Sequence, residues 1–400
     1  MTDMGVSAPP HRKTQSVVLA LLPIIAAVLA GFLVIGAALP VLPLHVSGDL
    51  GFGTLMVGLV AGAQFAASLI SRVWSGSYSD AKGGKRAVVV GLITAAIAGL
   101  LYLVSLAFEL SPVVAVTILL LGRAVLGGAE SFIITGGVSW GLALVDPEHA
   151  GKVIAWVGTA MFASLALGGP LGSMLFASFG FAAIGLVTAV LPLMVLMLFP
   201  RARGPVPQPP MRRSNTASVI RSVWLPGLGA AFASVGYCAI LAFSSLLYAD
   251  RNWQPIWLAF TAFGAALIVA RIFVGHLPDR HGGAKVALLF VLMQSAGLAF
   301  MGLAKDVTTA SAGAAFAGLG YSLVYPGLGV EAVRGASPEN RGLAMGIFTA
   351  FLDVAMAAGS PALGWIASRT NLSTVFVVSA VITFFAAAVS FRLILVGRSR

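Results

Sequence analysis

The sequence predicts an all-α integral membrane protein with twelve transmembrane helices arranged as two pseudo-symmetric six-helix bundles. Two observations lead to this fold class. The first is composition, because 59% of the 400 residues are hydrophobic and only 9% carry a charge. The second is that two segments of the chain recur in its second half, and internal similarity of this kind indicates a duplicated unit.

The composition excludes a soluble globular protein, which normally has about 25% charged residues. A chain of 400 residues has room for about twelve spans of roughly 20 residues with short connections. Helices are the expected spans, because backbone polar groups in lipid must be satisfied internally and no barrel-like alternating segments occur in the sequence. The apolar runs predict spans at about 17–39, 53–75, 87–108, 112–140, 152–178, 181–199, 224–248, 253–276, 285–304, 307–332, 342–367 and 373–396.

The distribution of charge predicts the orientation of the chain. Of the 24 Lys and Arg residues, most fall in alternate connections or at their membrane boundaries, which is the positive-inside bias. We therefore expect both termini in the cytoplasm and the protein in the cytoplasmic membrane of a bacterium, in contact with the lipid bilayer. The net charge of +11 does not indicate a nucleic-acid partner, because the basic residues are not gathered on one soluble domain.

The first repeated segment is a loop, written GSYSDAKGGKR at 76–86 and GHLPDRHGGAK at 275–285. The copies align at an offset of 199 residues (275 − 76), which also pairs Arg72 with Arg271. In each copy a glycine, expected to permit a tight exit from the apolar run, precedes a carboxylate that can accept from the N–H groups opening the next helix. The cations that follow can lie among anionic lipid headgroups. We interpret the loop as a conformational clamp formed by Gly76, Asp80, Gly83, Lys85, Arg86, Gly275, Asp279, Arg280, Gly282 and Lys285.

This loop resembles the GxLxDRxGRR signature between helices 2 and 3 of the major facilitator superfamily of transporters, which recurs there between helices 8 and 9. The second copy keeps Leu277 and Arg280, whereas the first has Tyr78 and Ala81 in the corresponding places. The resemblance implies two six-helix halves that rock about a substrate cavity. It also implies that spans 1, 4, 7 and 10 line most of this cavity.

The second repeated segment, DPEHAGK at 146–152, matches SPENRGL at 337–343 at an offset of 191 (337 − 146) and supports the same division. Between the sixth and seventh spans, the stretch at 200–215 is rich in Pro and Arg, which predicts an unpacked cytoplasmic linker. We therefore expect an N-terminal bundle at 1–200, a linker at 201–222 and a C-terminal bundle at 223–400.

Ionisable side chains within membrane spans are costly and are functional candidates by default. Arg123 and Glu130 lie in the fourth span, seven residues apart and so on one helix face, and Asp353 lies near the middle of the eleventh. We hypothesise that Glu130 and Asp353 bind and release protons as the cavity opens to each side, with Arg123 favouring the carboxylate form. The alternative is a static ion pair of Arg123 with Glu130 or Asp353 that only holds helices together. The segment at 119–130 also resembles the LxxxRxxxGxG motif of proton-coupled exporters.

Aromatic residues supply candidates for the substrate cavity. Tyr321 and Tyr325 are one turn apart in the tenth span, and Tyr237 lies near the middle of the seventh, so each could offer a ring with a hydroxyl group. Phe32 and Gln64 are further candidates. Ordinary helix packing is the alternative for all five. Because few amides occur within spans, the sequence favours an amphipathic compound over a sugar, whose hydroxyl groups need several hydrogen-bonding partners.

A cluster of small residues in the fifth span, ALGGPLGS at 166–173, resembles the GPxxGG signature of antiporters, with Gly172 one position early. Small residues permit close helix crossing, so packing and gating are both possible roles. The candidates for helix packing or a gate are Gly168, Gly169, Pro170, Gly172 and Pro361.

The function expected from these features is secondary active transport of a small organic molecule, with efflux by proton antiport favoured. Proton symport for uptake of a sugar or organic acid is the alternative, and a non-transporting membrane receptor is the alternative of another class. The segments ALPVLPLHV at 38–46 and GYSLVYPGLGVEAVR at 320–334 are similar to a bacterial subgroup described as arabinose-efflux-like. No catalytic set, metal cluster or nucleotide motif occurs in the sequence, so we expect no enzyme activity and no cofactor besides the proton gradient. A monomer is expected.

Overall fold

The computed structural model describes residues 17–145, 150–197, 199, 216–336 and 340–398. In these ranges the chain forms helices joined by short connections. The helices are α1 (Val17–Ala38), α2 (Leu42–Leu44), α3 (Thr54–Lys82), α4 (Gly84–Leu106), α5 (Pro112–Leu144), α6 (Ala150–Phe179), α7 (Phe181–Leu196), α8 (Thr216–Asp250), α9 (Leu258–Val274), α10 (Leu277–His281), α11 (Gly283–Leu303), α12 (Val307–Arg334), α13 (Arg341–Arg369) and α14 (Leu372–Arg398).

The twelve predicted spans are confirmed as helices. Within the described residues, ten helices are long and apolar enough to cross a membrane, and the two shorter apolar helices, α7 and α9, complete the set. A π-helical turn, His45–Asp49, follows α2 and extends the first span. Helix α8 begins inside the stretch predicted as linker, and the rest of that stretch, up to residue 215, lies outside the described residues. The protein is therefore a multi-pass membrane protein.

Large apolar side chains cover much of the outer surface. Val73 and Trp74 of α3 are 74% and 64% exposed, and Ile272 and Phe273 of α9 are 70% and 71% exposed. Exposed apolar surface on this scale marks contact with a membrane or a partner rather than with water. The helices thus show lipid an apolar surface and turn their few polar side chains towards one another.

The repeated loop has the same backbone in both halves. Gly83 and Gly282 both have φ 90°, with ψ 147° and 136°, and each immediately precedes a helix. This region of backbone conformation is essentially restricted to glycine. The second glycine of each pair lies at a helix crossing, because a Cβ on Gly84 would be 2.4 Å from the Trp140 nitrogen and one on Gly283 would be 2.2 Å from the Gly327 oxygen.

The expected helix exit at Gly76 is wrong. Helix α3 continues through this glycine to Lys82, and nothing lies within 4 Å of a Cβ built on it. The equivalent Gly275 does follow the end of α9, and the short helix α10 comes after it. The first copy continues as a helix because it has Ser77 and Tyr78 where the second has His276 and Leu277 followed by Pro278, and proline is readily accommodated at the start of a new helix.

The two halves meet along α3 with α13 and along α6 with α9. A Cβ on Gly58 would lie 2.3 Å from the Ser360 carbonyl oxygen, and one on Gly62 would lie 2.8 Å from the Ala357 oxygen. Gly169 of α6 similarly lies against the ring of Phe260 in α9. All these contacts lie towards the end of the bundle that carries the connection at 107–111, which we call the Ser111 end. The opposite end, with the two glycine-pair loops, is the Gly83 end.

Candidate functional site

An ion pair joins the two halves. Arg72 of α3 donates from Nε to Oδ2 of Asp353 in α13, and its Nη2 donates to Oδ1 at 3.1 Å. Asp353 is 2% exposed, whereas the Arg72 side chain keeps 23% of its surface exposed. A two-point guanidinium–carboxylate contact is among the stronger hydrogen-bonded arrangements in proteins. Asp353 was predicted as a proton-coupling residue, and its partner was not.

Glu130 of α5 lies near this pair. Its Oε2 accepts a hydrogen bond of 2.7 Å from Nε2 of Gln64 in α3, and the side chain is half-buried. Arg72 interacts electrostatically with Glu130 as well as with Asp353. Arg72 is thus hydrogen-bonded to the carboxylate of one half and lies within electrostatic range of the carboxylate of the other, which also feels the charge of Arg123. Gln64, which was predicted to line the substrate cavity, instead holds the Glu130 carboxylate.

Arg123 is not the partner of Asp353, so this part of the static ion-pair alternative is wrong. The Arg123 side chain is 1% exposed, and its Nε and Nη1 have no hydrogen-bond partner among the described residues. It lines a small space of about 10 Å³ whose other walls are apolar and come from both halves. Oε1 of Gln64 is also buried without a partner among the described residues, and the hydroxyl of Tyr102 lies beside Arg123. These orphaned polar atoms need water or a ligand, because an unsatisfied buried polar group is destabilising.

The three tyrosines lie between α8, α9 and α12. Tyr237 and Tyr321 stack with ring centroids 4.7 Å apart and an interplanar angle of 8°, and Phe263 packs against both. The Tyr325 hydroxyl lies 3.4 Å from Oγ1 of Thr349. Tyr237 and Phe263 line a second small space of about 10 Å³, whose other lining residues are apolar. Tyr237 thus lines a space between the halves, and Tyr321 stacks on Tyr237; that these residues contact the substrate stays a prediction.

Phe32 does not line either of these two spaces. It is 4% exposed and belongs to the hydrophobic core. Ordinary packing accounts for this residue.

Arg271 is a residue that the search for ionisable side chains missed. It occupies the position equivalent to Arg72, and its guanidinium lies over the ring of Phe162 in α6, 4.4 Å from the ring centroid. The signal was present in the sequence, because the offset of 199 pairs the two arginines (271 − 72). Both arginines lie close to the clamp loops, where the positive-inside bias already accounts for a cation.

At the Gly83 end, a backbone N–H group at the start of α11 donates to the carboxylate of Glu331, a residue that was not among those predicted. Oε1 of Glu331 in α12 accepts from the Ala284 nitrogen at 3.1 Å, and Arg334 donates to the same oxygen at 3.1 Å. The side chain of Asp279 lies outside the described residues. Asp80, Arg86, Arg280 and Lys285 are exposed, and Lys85 is half-buried.

The small residues of the fifth span divide between two contacts. Gly168 and Gly172 pack against α1 in the same half, where a Cβ on Gly172 would lie 2.0 Å from the Ala37 oxygen. Gly169 faces across to the other half, and Pro361 of α13 faces Gly62 of α3. Pro170 is half-buried within α6. Helix packing explains Gly168 and Gly172, whereas Gly169 and Pro361 lie where the halves must separate if they move.

Among the described residues, no group of three His, Cys, Asp or Glu side chains is arranged to hold a metal ion. The site that the structure assembles is therefore a set of buried charges and aromatic rings between two helical halves.

Comparison with known proteins gives one consistent result. A family model described as Major Facilitator Superfamily matches residues 24–257 and 252–400. The chain is 38% identical over 380 residues to an uncharacterized MFS-type transporter of Salmonella typhimurium, covering 95% of this chain and 98% of that one. It is 34% identical over 385 residues to an uncharacterized MFS-type transporter of Burkholderia pseudomallei, covering 95% and 93%.

Solved structures show the same fold. A nucleoside transporter superposes with a TM-score of 0.72 at 13% identity, covering 94% of this chain and 99% of that chain. A bacterial homologue of the human lysosomal transporter Spinster superposes with a TM-score of 0.69 at 16% identity, covering 96% and 97%.

Proposed function

Because the chain belongs to the major facilitator superfamily and is therefore a secondary transporter, we propose that it exports an amphipathic organic compound in exchange for protons. Glu130 and Asp353 are the proton-binding groups of this mechanism, and Arg72 is the cation that both carboxylates share. The membrane is the bacterial cytoplasmic membrane, with both termini in the cytoplasm. The observation that carries the proposal is the pairing of Arg72 with Asp353 across the two halves.

An ion pair between moving parts couples protonation to movement. While Asp353 is a carboxylate, its attraction to Arg72 holds α13 against α3. Protonation of Asp353 removes the charge and leaves Arg72 with a neutral acceptor, so the contact between the halves weakens. Arg72 is then free to interact with Glu130, whose carboxylate remains bonded to Gln64. One proton thus changes whether Arg72 is held by Asp353 of the C-terminal half or by Glu130 of its own half.

The direction in which this conformation opens follows from the helix contacts and the charge distribution. The close glycine contacts between the halves lie towards the Ser111 end. The positive-inside bias assigns the Gly83 end to the cytoplasm. We therefore assign this structure to a state that is closed to the outside.

The proton gradient is large enough for the task. Moving one elementary charge across a potential of 100 mV is worth about 2.3 kcal/mol. Since a tenfold change in concentration ratio corresponds to about 1.4 kcal/mol, one proton supports roughly fiftyfold accumulation before any pH gradient is added. A single pair of titrating carboxylates therefore suffices in principle.

Transport in proteoliposomes tests the proposal. A pH-sensitive dye inside the vesicles reports proton movement when amphipathic acids, bases and neutral compounds are added in turn under an imposed pH gradient. Glu130→Gln and Asp353→Asn should each weaken gradient-driven movement while binding is retained. Asp306→Asn is the matched control, because it also removes one carboxylate but lies in an exposed connection. Gradient-driven transport that is unchanged in both cavity variants contradicts the proposal, and proton movement in the same direction as the compound indicates symport instead.

A further inference from the structure

The two halves give equivalent arginines different partners. Asp353 and Phe162 are equivalent by the offset of 191 (353 − 162), as Arg72 and Arg271 are by the offset of 199. The contacts are equivalent too, since Arg72 bonds to Asp353 and Arg271 lies over the ring of Phe162. An ion pair and a cation–aromatic contact therefore occupy corresponding places on the two sides of the interface between the halves.

Arg271 has no counter-ion among the described residues. It is half-buried, and neither a hydrogen bond nor a salt bridge links its guanidinium to a side chain in this part of the protein. A guanidinium carries five N–H donors and no acceptor. An aromatic ring attracts the charge through its face but does not accept these in-plane donors as an oxygen would. The arrangement leaves a cation whose donors are available to an anion that enters between the halves.

An apolar space lies beside this cation. Phe162, over whose ring the Arg271 guanidinium lies, also lines a narrow space of about 10 Å³ whose walls include Tyr237, Phe260 and Phe263. Phe162 and Leu165 come from the N-terminal half and the other lining residues from the C-terminal half. When the halves move apart, walls of this composition beside one cation suit a molecule with a flat or aliphatic apolar body and one anionic group, since apolar walls with a few placed polar groups are typical of small-molecule sites.

We infer that Arg271 binds the anionic group of the cargo, so that the transported compounds are organic anions with an apolar body that lies against Phe162, Tyr237 and Phe263. A carboxylate from the cargo takes, in the second half, the place that Asp353 fills in the first. This inference rests on the proposed function, because it names the class of compound that the transporter carries.

Binding to the purified full-length protein in detergent micelles, without any gradient, tests the inference. The probes are three carboxylates, each compared with its neutral amide: 2-naphthoate with 2-naphthamide, indole-3-acetate with indole-3-acetamide, and 4-phenylbutyrate with 4-phenylbutyramide. Isothermal titration should show that at least one carboxylate binds at least tenfold more tightly than its amide. Arg271→Gln should abolish this preference, and Arg271→Lys should keep part of it because it keeps the charge.

Two substitutions of Phe162 keep the inference testable if Arg271→Gln does not fold. Phe162→Asp copies the ion pair of the other half and supplies Arg271 with an internal carboxylate. The ratio of carboxylate to amide affinity should therefore fall at least tenfold, which abolishes the preference for anions. Phe162→Leu removes the ring without adding charge, so it should weaken binding of the carboxylate and of its amide alike and leave the ratio of the two affinities unchanged. The inference is overturned if none of the three carboxylates binds more tightly than its amide, or if the preference survives Arg271→Gln or Phe162→Asp.

The result is separable from a test of the proposed antiport. Anion binding that depends on Arg271, in a protein that moves no protons in vesicles, contradicts the antiport and leaves this inference standing. Proton exchange with neutral or cationic compounds, without any preference for anions in micelles, contradicts this inference and leaves the antiport standing.

Discussion

Arg72 of α3 and Asp353 of α13 form a two-point ion pair, although they are 281 residues apart in the chain and belong to different halves of the molecule. The pair is more buried on one side than on the other, since Asp353 is almost fully covered whereas Arg72 keeps 23% of its side chain exposed. It is therefore both a link between the halves and a link that solvent can reach through the arginine.

Removing one partner of this pair should destabilise the protein. Asp353→Leu leaves Arg72 without its counter-ion, and the expected cost is less than the roughly 3–5 kcal/mol of a fully buried pair, because Arg72 is partly exposed. The double substitution Arg72→Leu with Asp353→Leu should recover part of the loss, since neither member of the pair is then left unpaired, although Glu130 loses the attraction of Arg72. Thermal unfolding in detergent measures both. The single variant Arg72→Leu completes the comparison. If the double variant loses as much stability as the two single variants lose together, a direct interaction is contradicted.

Gly58 should be needed for closing the Ser111 end. A Cβ at this position would meet the Ser360 carbonyl oxygen at 2.3 Å, so Gly58→Ala must push α3 away from α13. Gly76→Ala in the same helix is the matched control, because nothing lies within 4 Å of its added Cβ. This control should be neutral or more stable by about 0.5–1 kcal/mol, the usual gain of alanine over glycine inside a helix.

Distances between spin labels report the effect on closure. Labels on Leu55 and Trp365, which are 40% and 53% exposed near the Ser111 end, should move apart in Gly58→Ala and stay at the wild-type distance in Gly76→Ala. Cys238, the single native cysteine, is replaced by Ala in all samples. Equal distance distributions in the two glycine variants would show that this contact does not determine closure.

Glu331 should stabilise the start of α11. Its carboxylate accepts from the Ala284 nitrogen at 3.1 Å, and loss of a helix cap typically costs about 0.5–2 kcal/mol. Glu331→Ala should therefore lower the unfolding temperature. Arg334→Ala removes only the exposed partner, which is 62% exposed, and exposed ion pairs contribute little. If both variants unfold at the same temperature, the cap is not the stabilising contact.

The carboxyl of Asp306 should give a small stabilising contribution that depends on pH. Hydrogen bonds from the Thr309 N–H and hydroxyl groups, each 2.8 Å long, lower the pKa of Asp306 below its ordinary value. A group with a lower pKa in the folded state stabilises the fold above its unfolded pKa, near 4, and this contribution is lost as pH falls through the folded value. Asp306→Ala should unfold below wild type at pH 7, with a difference that shrinks towards pH 3 in thermal melts. A difference that is constant from pH 7 to pH 3 would rule out titration of Asp306 as its source.

Several features of the site were predictable because they depend on local pattern. The positions of Glu130 and Asp353 inside apolar helices mark them as costly, whatever they contact. The glycine pairs at 83–84 and 282–283 indicate a backbone that other residues avoid, and both copies have this backbone. Other features depend on which helix lies opposite, and the sequence does not give this. Arg123 and Glu130 share a helix face, yet Gln64 from α3 reaches Glu130, and the guanidinium of Arg123 points into a separate space.

The amino-acid sequence by itself determined that the chain crosses a membrane twelve times and that its two halves are copies, because hydropathy and repetition are properties of the chain alone. Only the tertiary structure decided which charges neutralise each other. Arg72 and Arg271 are equivalent in sequence, but one meets Asp353 and the other meets Phe162, because each arginine reaches across to a helix of the opposite half. Partners that are far apart in the chain come together only when the halves pack, so the asymmetry between the two arginines emerges at that step.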